Sequence, residues 1–495
     1  MLRQSLCCLL LCCGLLVISA QSVPVLVAGA HDFPDSIPGF NNVLLRFEGG
    51  SLQVTSTDLQ MNFESTSAAI TDEQGQLAFY TNGCSIANAN GDTLQNGAGL
   101  NPGEIAEIAC PQTGYLCPKG AMILPWPGDP GRYCLLHLGA RYEASRKLTF
   151  GPLYYSVVDM SANGGAGALT SKNNQLLDGD LEPFTAVRHG NGRDWWIVIP
   201  VYGTNEYRLF LLSPQGLTAR PVQAVGPTMS CKRIGSAAFS PNGLRYGRQQ
   251  NCRTVVLDFD RCSGHFSGPL TLSTPAYSFG GGGIGFSPDG RRLFTTDQVT
   301  VLTADLTQPN PVFDTLVHTY DYPKWGPTMS LIQQTSDNEL LISNMARQNY
   351  MGRIVMPTPD GATATYEYKG VPLPDFIMRT TPNEPNRRLG DWSGSPCDTL
   401  GLNPTMEALP AARPAVALVP NPAHNQFMVH DYSQEVGVER QLRVFAGTGA
   451  LLLQQAIPAG SVEVAVAIPA FPAGLYFWEM RWPDGNRVAG RLLVH

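Results

Sequence analysis

A short unit recurs along the middle of the chain and limits the folds available to it. Each copy is a polar turn with Gly, Asp or Asn followed by a strand-like run, as in "DEQGQLAFYTNG" (72–83) and "SPDGRRLFTTD" (287–297). The turn residues lie 56, 61, 51, 47 and 48 residues apart, at Gly75, Gly131, Gly192, Gly243, Gly290 and Asn338. Periods of ~40–50 residues that each hold several short strands are typical of β-propeller blades.

The repeated unit therefore predicts an all-β chain whose main part is a β-propeller. A single four-stranded sheet cannot bury both of its faces, whereas sheets packed around an axis cover one another. Trp195 and Trp196 are adjacent on one strand, so they point to opposite faces and both faces should be covered. With the strands of 41–50 and the region after Tyr350, about seven blades fit, and six or eight are the alternatives. An irregular array of β-sandwiches is the other interpretation of the same turns.

The N-terminus predicts export. One Arg precedes an apolar run from Leu6 to Ile18, and the run ends in the small residues Ser19 and Ala20. This is the pattern of a secretory signal peptide over 1–20 that is cleaved after Ala20. A run of ~13 apolar residues is short for a membrane span, so no transmembrane span is expected in the mature chain.

The number of cysteines also agrees with export from the cytoplasm. Twelve are present, and eight remain once the signal peptide is removed. An even number in an exported protein predicts disulfides. The candidate pairs are Cys110–Cys117 and Cys252–Cys262 because they are close in sequence, although eight cysteines allow roughly a hundred connectivities. Paired C-x-x-C spacing does not occur, so no zinc site, other metal or cofactor is expected.

Charge and motif content argue against several function classes. The net charge is −7 and no basic cluster exceeds pairs such as Arg291 and Arg292, so nucleic-acid binding is not expected. No nucleophile elbow, H-E-x-x-H or phosphate loop occurs. The run "FGGGGIGF" (279–286) precedes a strand rather than a helix, which favours close packing or a flexible loop beside the channel over phosphate binding.

Acidic clusters are the main signal for an enzyme. Asp258 and Asp260 share one face of a strand, and a glycosidase needs two carboxylates ~5–10 Å apart. The stretch "LLDGDLEPF" adds Asp178, Asp180 and Glu182. The simpler interpretation is that such acids cap hairpins, and that His189 packs beside the tryptophans as a turn residue. No catalytic residue is assigned.

The larger part of the chain resembles a known family. Ordered matches include "LAFYTNGCSIANANGDTLQNGAGL" (77–100), "AVRHGNGRDWWIV" (186–198), "GIGFSPDGRRLF" (283–294) and "RRLGDWSGSPCDTLGL" (387–402). They resemble secreted Bacteroidetes propeller-like proteins of undefined function, which belong with the tryptophan-aspartate-repeat and YVTN-like superfamily. The resemblance implies a β-propeller, placed here at 21–405 and followed by a linker at 406–414.

The end of the chain resembles a second family. Its blocks are "VPNPAHNQFMV" (419–429), "LRVFAGTGALL" (442–452), "IPAFPAGLYFWEM" (468–480) and "GRLLVH" (490–495). They are similar to the C-terminal sorting domain of type IX secretion. The resemblance implies an immunoglobulin-like β-sandwich over 415–495 that addresses the protein across the outer membrane. The sorting-signal residues that it implies are Pro420, Asn421, Pro422, Gly474, Tyr476 and Arg491.

These observations favour an exported, non-enzymatic binding or adhesion module for a glycan, peptide or protein. Its expected location is the outer-membrane surface or the medium, reached through the periplasm. The expected partners are the type IX secretion machinery and an extracellular ligand that the sequence does not identify. A propeller hydrolase or lyase acting on extracellular polysaccharide or peptide is the alternative, and a structural surface protein without a discrete ligand is a third class. Clustered carboxylates or histidines at the axis would favour the enzyme, and a filled axis would favour the structural class.

Overall fold

A computed structural model of the chain contains two compact units. One comprises the strands that end by Ile377 and the segment that follows them, and the other comprises the strands from Val416 onward together with residues 287–291 and 356–364. The residues described are 25–29, 41–48, 51–145, 147–231, 235–250, 252–274, 282–318, 329–335, 339–345, 347–377, 380, 382–400, 416–419, 423, 425–431, 438–446, 450–461, 463–468, 471–483 and 487–494.

The first unit is a succession of antiparallel meanders, in which each strand pairs with the next one along the chain. The first three meanders are formed by β1 (Val25–Gly29), β2 (Asn42–Glu48) and β3 (Ser51–Thr57); by β4 (Ala68–Thr71), β5 (Leu77–Thr81), β6 (Ser85–Asn88) and β7 (Thr93–Ala98); and by β8 (Ala121–Pro125), β9 (Arg132–Tyr142), β10 (Leu148–Asp159) and β11 (Ala168–Leu177).

The later meanders follow the same plan. They are formed by β12 (Thr185–Arg188), β13 (Trp195–Pro200), β14 (Glu206–Ser213) and β15 (Gly216–Ala219), with β16 (Gln223–Ala224) paired to β14; by β17 (Ser236–Phe239), β18 (Arg245–Gln250), β19 (Arg253–Phe259) and β20 (Phe266–Ser273); by β21 (Ile284–Phe286), β22 (Arg292–Thr296), β23 (Thr300–Asp305) and β24 (Asp314–His318); and by β25 (Met329–Gln334), β26 (Leu340–Asn344), β27 (Gln348–Val355) and β28 (Thr365–Ile377).

Two of these meanders are joined into one eight-stranded sheet. The join is a parallel pairing of β7 with β11, in which Gln95 is opposite Ala168. Because both strands are the last of their meanders, the join leaves the meander β4–β7 and the meander β8–β11 otherwise intact. The eight-stranded sheet is therefore two four-stranded meanders whose last strands lie side by side.

The sheets pack face to face in a ring. First strands lie beside first strands: β1 beside β4, β4 beside β8, β12 beside β17, β17 beside β21, and β21 beside β25. The last sheet returns to the first through a buried cluster in which Leu341, Met351 and Val371 meet Val43 and Leu45. This closed arrangement of radially packed meanders is that of a β-propeller, with the first strands innermost.

The repeated turn seen in the sequence has one place in this ring. Its glycines lie between the first and second strands of successive meanders, and all have φ between 72° and 83°, namely Gly75, Gly131, Gly192, Gly243 and Gly290. A positive φ in this range favours glycine because it carries no Cβ. The predicted repeat is confirmed at these five positions, whereas Asn338 lies outside the described residues.

The two adjacent tryptophans also behave as predicted. Trp195 and Trp196 are 0 % and 1 % exposed. Trp195 packs with Leu136 of the preceding sheet, and Trp196 packs with Phe259 of the following one. Both faces of the sheet β12–β15 are therefore covered, as the period of two along a strand requires.

Helices contribute little to the fold. The described residues hold α1 (Glu104–Ala109) and a single 3-10 turn (Asn163–Gly165). Among the described residues, no helix has the length and apolar character needed to cross a membrane.

The cysteine pairs inferred from sequence proximity are wrong. The disulfides are Cys84–Cys110, Cys231–Cys252 and Cys262–Cys397, with Cα atoms 5.7, 6.0 and 5.4 Å apart. Cys252 and Cys262 flank β19, whose extended residues at ~3.3 Å each hold the two cysteines too far apart to bond. The fourth candidate, Cys117, is a buried free thiol. Cys134 is another, and burial raises its pKa to about 12, which leaves the thiol protonated and inert.

The second unit consists of two antiparallel sheets around a shared core. One sheet has the order β29 (Val416–Val419), β30 (Gln426–Asp431), β33 (Glu463–Ala467), and the other has the order β32 (Leu451–Ile457), β31 (Arg440–Phe445), β34 (Gly474–Arg481), β35 (Arg487–Val494). Phe427 and Val466 from the first sheet meet Leu442, Trp478 and Met480 from the second in one buried cluster. Alternating apolar residues on each strand supply this core, as in other two-sheet proteins.

Candidate functional site at the ring axis

After β28 the chain crosses the inner ends of several sheets. We call residues 380–398 the axial segment; within it, Thr381 lies outside the described residues. Side chains of the axial segment donate hydrogen bonds to backbone carbonyls that belong to separate parts of the ring, those of Phe63, Lys119, Ile123, Phe184 and Pro241. Only a segment at the axis can reach this many sheets at once.

Two asparagines anchor the axial segment. Asn383 is 3 % exposed, and its Nδ2 donates to the carbonyls of Lys119 at 3.0 Å and Phe184 at 2.7 Å. The Nδ2 of Asn386 donates to the carbonyl of Pro241 at 3.0 Å. The innermost strands have one edge without a neighbouring strand, so carbonyls along that edge need other donors. An amide side chain can supply two of them.

Three charged side chains are buried beside these anchors. Arg387 and Glu384 form an ion pair at 2.8 Å, with side chains 4 % and 6 % exposed. Arg387 also donates to the carbonyl of Ile123 at 2.9 Å, and Lys119 donates from Nζ to the carbonyl of Ile332 at 2.7 Å. The second carboxylate oxygen of Glu384, Oε1, has no hydrogen-bond partner in the structure. Burial of a charged group costs free energy unless the group is paired. The positions of these three side chains therefore matter for the stability of the ring.

A cavity of about 40 Å³ lies between the axial segment and the first strands. Its lining includes Lys119, Gln333, Glu384, Phe239 and Ile284. Small-molecule sites usually measure ~300–1,000 Å³, so this cavity is far too small for one and has room for a few water molecules.

The carboxyl of Glu384 makes stability depend on pH. Burial raises its pKa from 4.5 to about 7, although Arg387 acts in the opposite direction. A pKa that is higher in the folded state gives stability that is complete below about pH 4.5 and is lost as the pH rises through 7. Burial also lowers the pKa of Lys119 to about 8, above the interval from pH 5 to pH 7. His137 and His189 do affect stability within that interval, but they do so equally in wild type and in a variant of Glu384.

We expect Glu384→Gln to reduce this pH dependence. Between pH 5 and pH 7 the unfolding free energy of the wild type should fall by about 2 kcal/mol more than that of the variant. Urea denaturation at both pH values measures the difference. Parallel profiles would mean that Glu384 stays ionised throughout and that the prediction is wrong.

The end of the axial segment docks on the turn between β12 and β13. The amide of Trp392 donates to the carbonyl of Gly190 at 2.8 Å, and Arg261 donates to the carbonyl of Gly390. A Cβ on Gly190 would collide with the sulfur of Cys397. The absence of a side chain at Gly190 is thus what lets the Cys262–Cys397 disulfide lie against the turn.

The sequence interpretation missed the axial segment. The sequence pattern predicts only that these residues end the propeller. A signal was present, because the stretch from Thr380 to Cys397 combines prolines, asparagines and charges over a length with no strand pattern. Long irregular stretches in compact domains are commonly functional.

The candidate catalytic acids have separate structural roles. Asp258 is exposed and faces Arg245 at 3.9 Å. Asp260 accepts hydrogen bonds from the amide of Cys262 and the hydroxyl of Ser263, both at 2.8 Å. Asp260 thus caps its turn, as the simpler interpretation holds.

The second acidic cluster is also divided. Asp178 pairs with Arg141 at the surface, at 2.8 Å. Glu182 is 2 % exposed and forms a bidentate pair with Arg248, which is itself completely buried. Gln250 adds a further hydrogen bond to the Glu182 carboxylate. These partners satisfy Glu182, so it is a structural ion pair and not an exposed acid.

Of the histidines, His137 is buried and His189 is half-buried. His189 packs 5.5 Å from Trp196 and bonds the carbonyl of Cys262 from Nε2 at 3.0 Å, and burial lowers its pKa. His137 lies between Asn101 and Ser156, at 2.8 and 3.0 Å. The arrangement Asn101–His137–Ser156 resembles a hydrolytic triad, but the side chains of His137 and Ser156 are both 0 % exposed. Burial also lowers the pKa of His137 to about 3. A substrate has no access to this Ser–His pair, which acts as a satisfied buried network.

The glycine-rich stretch is a site of close packing where it is described. A Cβ on Gly283 would collide with the backbone amide of Ile332 on the neighbouring sheet. Gly283 also donates its amide to the carbonyl of Ser330 at 3.1 Å. The packing interpretation fits these contacts, and residues 279–281 lie outside the described residues.

The candidate sorting residues are only partly described. Pro420, Asn421 and Pro422 lie outside the described residues, as does Ala20 at the candidate cleavage site. Gly474 begins β34, and Tyr476 is 7 % exposed with its hydroxyl donating to the carbonyl of Pro472 at 2.6 Å. Arg491 lies on β35 opposite Phe477. Tyr476 therefore belongs to the core of the second unit.

Metal-binding groups are not assembled in the part of the chain that the structure describes. Within it, no three His, Cys, Asp or Glu side chains are placed to hold an ion together. At the axis, Arg387 is paired with Glu384, and both Arg387 and Lys119 donate to backbone carbonyls.

No protein-family model and no curated protein matches the chain. Among solved structures it is similar to a protein assigned as a 6-phosphogluconolactonase from Bacteroides fragilis, with 13 % identity, a TM-score of 0.44, and 72 % of this chain and 97 % of that chain covered. It is also similar to the Dos1 propeller, with 14 % identity, a TM-score of 0.34, and 66 % and 90 % covered. A third is apo AztD from Citrobacter koseri, with 12 % identity, a TM-score of 0.29, and 90 % and 98 % covered. The fold assignment rests on the sheet topology.

Proposed function

We propose that this chain is an exported seven-bladed β-propeller that binds an extracellular glycan, peptide or protein through its outer surface and has no active site at its axis. The filled axis is the observation that argues against an active site there, and it also fits the second candidate function, a structural surface protein without a discrete ligand. The axial segment occupies the place where a propeller would hold a substrate, and among the described residues a cavity of about 40 Å³ lies beside it. Buried residues Asn383, Glu384 and Arg387 hold the segment there through matched hydrogen bonds.

The proposed blade number follows from the meanders. Each four-stranded meander is one blade, so the sheet that joins β4–β7 to β8–β11 counts as two. The three strands β1–β3 form a further blade, which packs on both β4 and β28. The ring is thus closed by packing and by the axial segment, since no described sheet combines strands from both ends of the unit.

A binding role is tested with arrays and a hydrolase screen run side by side. The purified chain should bind members of a glycan or peptide array and show no turnover of model polysaccharides or peptides. Asp258→Asn should leave the hydrolase result unchanged, because Asp258 faces Arg245 and Asp260 caps its turn. Turnover that disappears in Asp258→Asn would replace this proposal by the hydrolase alternative.

We further propose that the second unit is an immunoglobulin-like sorting domain for type IX secretion. Support comes from the four C-terminal sequence blocks and from the two-sheet arrangement around one core. Three disulfides support a route through an oxidising compartment. The mature protein would then be at the outer-membrane surface or released.

We expect deletion of residues 414–495 to trap the protein in the periplasm. The second unit has its own core, so its removal should leave the propeller folded. Cell fractionation and immunoblotting measure the distribution, with the full chain as control. Unchanged appearance of the truncated protein outside the cell would contradict the sorting role and leave the binding proposal untouched.

A further inference from the structure

One disulfide differs from the other two in what it connects. Cys84–Cys110 and Cys231–Cys252 close loops with sequence separations of 26 and 21. Cys262–Cys397 has a separation of 135 and ties the turn between β19 and β20 to the end of the axial segment. It is therefore placed to control whether that segment stays in the ring.

Polar contacts hold much of the axial segment, and Leu389 adds an apolar contact with the cluster that contains Trp196 and Phe239. Asn383, Asn386 and Arg387 donate to backbone carbonyls, and Glu384 pairs with Arg387 within the segment itself. Water can replace such hydrogen bonds when the segment leaves, so each contributes only about 1 kcal/mol net. A segment held in this way can open locally without unfolding the sheets around it.

The disulfide removes that freedom. The segment leaves β28 at one end, and its other end is fixed to the β19–β20 turn by Cys397. Ser395 lies 3.3 Å from both sulfurs, and Gly190 provides the space in which the disulfide sits. With both ends fixed, the segment cannot swing out of the axis.

We propose that the Cys262–Cys397 disulfide is a redox latch that closes the propeller axis. Closing the latch forms one S–S bond from two thiols and releases two protons and two electrons. A disulfide-bearing oxidoreductase of the exported compartment accepts them and is reduced to its dithiol. In the reduced state the axial segment exchanges between the axis and solvent, and in the oxidised state it stays in place.

Trypsin tests the latch, because Arg387 and Arg388 lie in the axial segment. We expect the bonds after these residues to resist cleavage in the oxidised wild-type chain. In Cys262→Ser/Cys397→Ser, native-state cleavage there should be faster by about tenfold or more, because local opening exposes the segment. Wild type in which the Cys262–Cys397 disulfide is reduced, with the state of all three disulfides read by thiol labelling, should match the variant, and reoxidation should restore resistance. Mass spectrometry of the new termini gives the rate at each bond.

Two internal standards separate a latch from general stabilisation. Arg248 in β18 is completely buried, so cleavage after it reports opening of the sheets. Cys231→Ser/Cys252→Ser also removes one disulfide but leaves the latch. Cleavage after Arg387 and Arg388 should rise only in the latch variant, with the Arg248 bond unchanged. No rise at these bonds, an equal rise at Arg248, an equal rise in the control variant, or no recovery on reoxidation would overturn the proposal.

Discussion

Replacement of Glu182 by Ala should destabilise the propeller by about 3–5 kcal/mol, because it leaves a buried guanidinium without its counter-charge. Arg248 is 0 % exposed and receives both oxygens of Glu182, through Nε at 2.9 Å and Nη2 at 2.7 Å. In the variant it keeps only carbonyl acceptors, those of Val201 and Thr204. Chemical denaturation of the full chain, followed by near-UV circular dichroism, measures the loss.

The matched control for this variant is Asp178→Ala. Asp178 also pairs with an arginine, Arg141, at 2.8 Å, but both side chains are about half exposed. An exposed pair contributes at most about 1 kcal/mol, since water screens the charges and the side chains lose entropy on pairing. Equal losses in the two variants would mean that burial of the Glu182–Arg248 pair has no energetic consequence.

Replacement of Arg387 by Met should cost a similar amount, about 3–5 kcal/mol at pH 8. Arg387 is the ion-pair partner of Glu384 at 2.8 Å, and both side chains are nearly completely buried. Without the arginine, the Glu384 carboxylate is buried with no cation bonded to it. The unfolding free energy at pH 8, from urea denaturation, is the measurement.

A second substitution identifies the cause. In Arg387→Met/Glu384→Gln the buried charge is removed together with its partner, and most of the lost stability should return. Replacement of a buried pair by neutral groups is often close to neutral, whereas removal of one partner is not. A double variant as unstable as Arg387→Met would show that the loss comes from the missing bond to the Ile123 carbonyl.

Much of the ring could be predicted from local sequence. A tight turn depends on residues within four positions of one another, so "SPNG" and "SPDG" indicate a hairpin before any tertiary contact is known. Gly243 and Gly290 occupy equivalent turns with φ of 72°. Strand alternation then placed Trp195 and Trp196 on opposite faces, and both are buried. The signal peptide and the sorting role remain predictions.

The axis could not be predicted in this way. Asn383 bonds the carbonyl of Lys119, which precedes it by 264 residues. No local rule relates the two positions, because they meet only when the ring closes. The same limit explains why the disulfides could not be predicted. Cys262 bonds Cys397 at a separation of 135 residues, whereas Cys252, which is nearer in sequence, lies at the other end of the extended strand β19.

The sequence by itself determined the repeating hairpin, its spacing and the two-sided burial of its strands, because turn chemistry and side-chain alternation act over a few residues. The tertiary structure decided what fills the centre. Residues in or next to the inner strands of several sheets present carbonyls to one axis, and the axial segment donates to them from Asn383, Asn386 and Arg387. That match depends on the simultaneous position of strands far apart in the chain, so it exists only in the closed ring.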